Sequence, residues 1–345
     1  MAPGSSAVPR QLLLASAEGA GAPTARYLLI VAAAMTACCL PSAQAFGEAQ
    51  KYLIVSSPRR SRIAYLRLPT SGAPATGHEP MRTLVDTGLK FPQGLAVDQY
   101  RKRLFVADPN LGFLAGYNIL HERDALSLGK MWTAASNVEV RSVAVDGLGN
   151  VFFTDEPRQL IMRVTARNLD KGRITPEVVY DHSKVDQVSA PGGIAVDNYF
   201  VYWLNKANGE QAGTVVRAPQ NRNISDDRNT GSGLYPVNLA ANSMKCYGVC
   251  IALNHIYYTD ERYNLYGIPR AATVRHNPVT ISDALVEPRG CAFDGDSTVY
   301  IADKDQNAVF QFASNMPQLL TDRLLTKAVD LEGAFGVAVY VRVMD

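Results

Sequence analysis

No apolar run in the 345-residue chain reaches the roughly 20 residues needed to span a bilayer comfortably; the longest useful one covers 27–40 (YLLIVAAAMTACCL). Neither charge sign dominates: 34 Lys+Arg stand against 32 Asp+Glu, a net +2, which excludes strong electrostatic steering and argues against a nucleic-acid reader. The five histidines, His78, His121, His182, His255 and His276, are scattered, and none directly precedes one of the repeated phrases described below. No G-x-S-x-G elbow, H-E-x-x-H helix or P-loop occurs. Cysteine is scarce, with five in all. Long Ala/Glu/Lys/Leu runs are missing beyond residue 50, whereas 16 Tyr, 11 Phe and 26 Gly favour strands and turns.

The N-terminal 26 residues carry Arg10 and Arg26 with one acid, Glu18, and are rich in Ala, Gly, Ser and Pro. The apolar run follows, and then Pro41-Ser42-Ala43-Gln44-Ala45, a small-x-small sequence of the signal-peptidase type. Residues 1–45 are therefore expected to be a leader cleaved before Phe46, with 46–345 as one domain. An uncleaved anchor is the alternative to cleavage. The expected location is the secretory pathway or the exterior; the long acid-poor stretch also suits a bipartite leader into an organelle lumen. Removal of the leader takes Cys38 and Cys39 and leaves Cys246, Cys250 and Cys291, an odd number. Cys246 and Cys250 lie four apart on one expected strand, about 13 Å at ~3.3 Å per residue, beyond disulfide reach. One bridge involving Cys291 is conceivable, but three buried free thiols are expected.

One short phrase returns six times: Gly94-Leu95-Ala96-Val97-Asp98, Ser142-Val143-Ala144-Val145-Asp146, Gly193-Ile194-Ala195-Val196-Asp197, Gly248-Val249-Cys250-Ile251, Gly290-Cys291-Ala292-Phe293-Asp294 and Gly336-Val337-Ala338-Val339. The steps are 48, 51, 55, 42 and 46 residues, the period of a four-stranded propeller blade. Small residues suit an innermost strand, because six such strands crowd one axis. A second strand follows each of the first five phrases, ending in Asp108, Asp155, Asn205, Asp260 or Asp303. Residues 51–57 read as a second strand with no first strand before it, and 336–343 as a first strand with no second after it. The expected fold is thus all-β: a six-bladed propeller of four-stranded antiparallel blades, closed by a blade shared between the termini.

The phrase Pro92-Gln93-Gly94-Leu95-Ala96-Val97-Asp98 with Val106-Ala107-Asp108-Pro109-Asn110, and Tyr300-Ile301-Ala302-Asp303 with Asn307, resemble NHL repeats. Ile256-Tyr257-Tyr258-Thr259-Asp260 is similar to the YWTD repeat of LDL-receptor-type propellers. The resemblance spans about residues 51–345 and implies a six-bladed propeller of the TolB-like kind, a superfold that hosts many activities. Propellers bind where the loops leading into the first strands converge. That rule selects Gln93, Arg141, Gly192, Tyr247, Arg289 and Phe335. Two Arg beside two aromatics form a socket for a carboxylate, a phosphate or an acidic side chain. The competing structural role is that the Arg residues pair with strand-end Asp residues. Those Asp residues, and Asp98, Asp146, Asp197 and Asp294 in the hairpins, are expected to hold turns by accepting backbone N–H bonds.

Lactonase-type propellers resemble one another in placing inner-strand Glu, Asn and Asp on a divalent cation, and peptide-amidating lyases use His on zinc. No acid or His occupies the six selected positions, so no metal or cofactor is expected. The functional expectation is a non-enzymatic, monomeric interaction module for a protein or small anionic ligand, with no nucleic acid and no membrane span after leader removal; a propeller-type hydrolase, lactonase or lyase is the alternative. Asn223-Ile224-Ser225, in the polar insertion 219–235, is a glycosylation sequon.

Overall fold

A computed structural model describes residues 49–69, 80–122, 125–206, 213–221, 235–242, 244–273 and 276–343. The expected leader and Asn223 lie outside the described residues, as does His78. From Gly47 onward the chain forms one compact unit.

Six antiparallel sheets are found among the described residues. Their inner strands are Leu95–Asp98, Val140–Val145, Pro191–Val196, Cys246–Ala252, Pro288–Phe293 and Val337–Val343, so the apolar part of every repeated phrase lies on an inner strand. The chain runs outward through each blade by hairpins. The last blade is the exception: Val337–Val343 pairs with Ala49–Ser57, with Val337 opposite Val55 and Val343 opposite Ala49. Ser56 and Phe335 extend that ladder, the Ser56 N–H donating to Gly336 O and the Phe335 N–H to Ser56 O, both at 2.9 Å. The ring is thus closed by its two ends, as the orphan strands imply. One blade carries more than four strands, because Phe113–Glu122 outruns its partner and turns back through Ala125–Leu128 before Trp132–Ser136.

Crowding at the axis explains the glycines. A Cβ on Gly248 would overlap the carbonyl oxygen of Arg289 in the next blade, and one on Gly336 would overlap that of Gln93. Between blades, Trp203 packs on Tyr180 of the preceding blade's outer strand with ring centroids 5.4 Å apart; within the closing blade Tyr52 stacks on its cross-strand neighbour Tyr340 at 6.3 Å. The strand-end carboxylates hold loops as expected. Asp108 Oδ2 accepts the N–H groups of Lys90 and Phe91 at 2.7 and 2.8 Å, and Asp303 those of Val286 and Glu287 at 2.6 and 3.1 Å. The hairpin acids do the same; Asp294 Oδ1 accepts from Asp296, Ser297 and Thr298, each at 2.9 Å.

The thiols correct the sequence expectation. Cys250 and Cys291 form a disulfide with Cα atoms 5.6 Å apart, and Cys246 is the free, buried one among the described cysteines. Spacing along one strand rightly separates Cys246 from Cys250. The bridge instead joins inner strands of neighbouring blades, which the axis brings together across 41 residues of sequence. Burial pushes the Cys246 thiol far up, with Asp260 adding to the effect.

Candidate functional site

Gln93, Arg141, Gly192, Tyr247, Arg289 and Phe335, one from each blade, border a single cavity of about 300 Å³ at one end of the axial channel. The fold accounts for this convergence: each residue precedes or opens an inner strand at the same end of its blade. Lys206, Lys304 and Phe91 join them from second-strand ends and a connecting loop. The wall therefore carries four cations and three aromatic rings, and no Asp or Glu borders the cavity.

The cations have counter-ions that do not themselves line the cavity. Arg141 Nη2 lies 2.6 Å from Glu139 Oε1, and its Nε 3.1 Å from Glu156 Oε2. Glu156 Oε2 also accepts from Lys206 Nζ at 2.7 Å. Arg289 Nη2 donates to Glu287 and its Nη1 to Pro288 O at 2.8 Å, while Lys304 Nζ reaches Glu287 Oε2 at 2.7 Å. Thus the arginines are paired, but with glutamates and not with the strand-end aspartates. The Arg289 guanidinium also lies over aromatic rings, its Cζ 4.2 Å from the Tyr247 ring centroid and 5.8 Å from that of Phe335. Lys206 Nζ lies 5.3 Å from the same Tyr247 ring.

Burial raises the Tyr247 phenol above its ordinary value; Arg289 opposes this, while Glu261, Glu156 and Glu287 add to it. The Lys206 ammonium is lowered, chiefly by burial and further by Arg141 and Arg289, against the restoring contact with Glu156. A neutral phenol beside fixed cations is suited to holding a planar anion. A weakened ammonium is suited to giving up its proton.

Lys206 and Glu156 do not lead into an inner strand, so the rule that selects the wall positions passes over them, yet both belong to this network. The signal was available in the repeat: the residue after each second-strand end reads Pro109, Glu156, Lys206, Glu261 and Lys304, a second charged ring beside the first. Gly192 supplies no side chain, and Lys206 of its own blade fills the gap. None of the described histidines lines the cavity; His121 Nε2 meets the Tyr340 hydroxyl at 2.9 Å, and His182 Nδ1 meets Val188 O at 2.6 Å. Among the described residues no group of three or more His, Cys, Asp or Glu is arranged to hold a metal ion.

Six antiparallel blades of at least four strands around an axial channel, closed by pairing of the first and last described strands, define a six-bladed β-propeller. No family model and no curated protein matches the sequence. Solved structures do: a gluconolactonase from Xanthomonas campestris is 13% identical, with 83% of this chain and 86% of that one covered, at a TM-score of 0.53. The virginiamycin B lyase from Staphylococcus aureus is 15% identical over 68% and 69% at 0.44, and a streptogramin B lyase 11% over 82% and 74% at 0.46. At these identities the likeness speaks for the fold alone.

Proposed function

We propose that this propeller is a non-enzymatic, secreted or lumenal binding module of NHL-like descent that holds a small carboxylate, or an acidic side chain of a protein partner, at the charged end of its channel. One observation carries the reading: Arg141, Lys206, Arg289 and Lys304 line the cavity, and none of the glutamates that pair with them does. A ligand carboxylate meets fixed donors there, and Tyr247 and Phe335 cover its apolar part. Charge-assisted contacts of this kind contribute about 1.5–3 kcal/mol each. The leader 1–45 and the sequon at Asn223 belong to the same reading, as a chain exported from the cytosol and active as a monomer.

The test is a calorimetric titration of the purified protein with benzoate, succinate and a short acidic peptide. The wild type should bind at least one of them, and the double variant Arg141→Ala, Arg289→Ala should bind it about tenfold more weakly or worse. Equal affinity in the double variant, or no binding of any of the three by the wild type, overturns the proposal. The enzymatic alternative rests on the gluconolactonase fold likeness and is separated by metal analysis: a stoichiometric, tightly held calcium or zinc ion in the native protein would favour it.

A further inference from the structure

The carboxylate-holding role leaves one nucleophile at this end unexplained. Lys206 ends the strand Phe200–Lys206, where the corresponding loop residue of a neighbouring blade is Glu156. Its aliphatic stem runs beside Gly192, where an added Cβ would meet Cδ and Cε at 3.2 Å, so the missing side chain gives the amine its path to the cavity. The side chain is 14% exposed, against 28% for Lys304, whose Nζ is held by both Glu287 oxygens at 2.8 and 2.7 Å. Lys206 has a single carboxylate partner, Glu156, and faces Arg141, Arg289 and the Tyr247 ring. An amine beside two guanidiniums that do not lose their protons, on the wall of a cavity suited to carboxylates, is placed for a ligand bearing a carbonyl next to its carboxylate.

We propose that Lys206 captures an α-oxo acid as an imine, the acid's carboxylate resting on Arg289 and Arg141; this builds on the carboxylate reading above. Glu156 accepts one proton from the ammonium. The freed nitrogen lone pair attacks the carbonyl carbon, a C–N bond forms, and the π pair moves to oxygen, which takes the proton back from Glu156 to give a carbinolamine. A second nitrogen proton, again carried by Glu156, leaves with that oxygen as water, and the product is a protonated imine. Charge is conserved and no oxidant or reductant is consumed. The lowered Lys206 ammonium supports the first transfer, since more free amine is present than on an exposed lysine at the same pH.

The purified protein is incubated with pyruvate or phenylpyruvate and cyanoborohydride, which fixes imines as secondary amines, and the modified lysines are located by peptide mass spectrometry. The expected result is an adduct on Lys206 formed about tenfold faster than on any other lysine, saturating with the oxo acid and slowed by excess benzoate. In Lys206→Arg, which keeps a cation for Glu156, the adduct at that peptide is lost; in Arg141→Ala, Arg289→Ala it forms about tenfold more slowly. Labelling spread evenly over the lysines, or none at Lys206, overturns the inference. If Lys206 stays unlabelled while benzoate still binds by calorimetry, the imine proposal falls and the carboxylate reading stands; if benzoate also fails to bind, both fall.

Discussion

The two ends of the channel are built from the same six inner strands and differ in almost every other respect. At one end Arg141, Lys206, Arg289 and Lys304 border the cavity. At the other, a cavity of about 260 Å³ is bordered by Val97, Val145, Val196, Ile251, Phe293 and Val339, with no charged residue in its wall. Around that apolar end the hairpin tips Tyr100, Leu148 and Tyr199 are 86%, 74% and 73% exposed. Acids are not absent there. Asp98, Asp146, Asp197 and Asp294 all lie on these hairpins, but one oxygen of each is turned to backbone N–H groups, as when Asp146 Oδ1 accepts from Leu148 and Asn150 at 2.9 and 2.8 Å. Carboxylates that recur with the repeat serve the turn, whereas charges that differ from blade to blade face the channel.

Cutting the ring should erase both ends at once. Deleting residues 334–345 removes the strand paired with Ala49–Ser57 and exposes two sheet edges, so soluble expression should fail or the thermal midpoint fall steeply. A truncated protein as stable as the full chain would contradict terminal closure. Next in size is the bridge between the fourth and fifth inner strands, where Cys250 and Cys291 both border the apolar cavity. Cys250→Ser should cost about 4 kcal/mol if loop entropy over the 41 residues dominates, read as a lower denaturant midpoint. No loss on substitution or on reduction of the wild type would remove the disulfide from the account.

Glycine variants sharpen the contrast. Gly248→Ala forces a methyl group against the Arg289 carbonyl and should cost about 1–3 kcal/mol while also weakening carboxylate binding, because it moves the residue that carries the guanidinium. Gly295→Ala, at the apolar end with φ of 83° and nothing within 4 Å, should cost about 1 kcal/mol and leave binding alone. Equal effects on binding would mean that the ends are not independent.

The smallest effect is in pH. Burial opposes the charge on Asp197, yet N–H donors from Phe200 and Tyr199, the Tyr202 hydroxyl and Arg270 together hold its carboxyl below the ordinary range. A group depressed on folding stabilises above its unfolded pKa of about 3.9 and loses that contribution as pH falls through the folded value. Asp197→Asn should therefore destabilise at neutral pH, with the difference from wild type shrinking below about pH 4 in thermal melts. A gap that widens in acid would give the wrong sign.

The strand order was legible because inner strands need small residues and repeat at blade spacing, and the shared blade because 51–57 and 336–343 are each missing the other's partner. The six wall positions were legible because each precedes an inner strand. Three features were not. The Cys250–Cys291 bridge depends on the distance between blades at the axis, which no spacing along the chain encodes. Lys206 reaches the wall only because Gly192 leaves space, a relation between two strands of one blade. The extra strand Ala125–Leu128 follows from the unusual length of Phe113–Glu122, whose ribbon continues past the end of its neighbour.

The central claim, that anions are held at the charged end and not at the apolar one, is tested most directly by a crystal structure of the protein soaked in benzoate. The account predicts a carboxylate against the guanidiniums of Arg289 and Arg141 with the aromatic ring on Tyr247. Benzoate seated among Val97, Val196 and Phe293, or a charged end without it at concentrations that saturate binding in solution, would contradict the account.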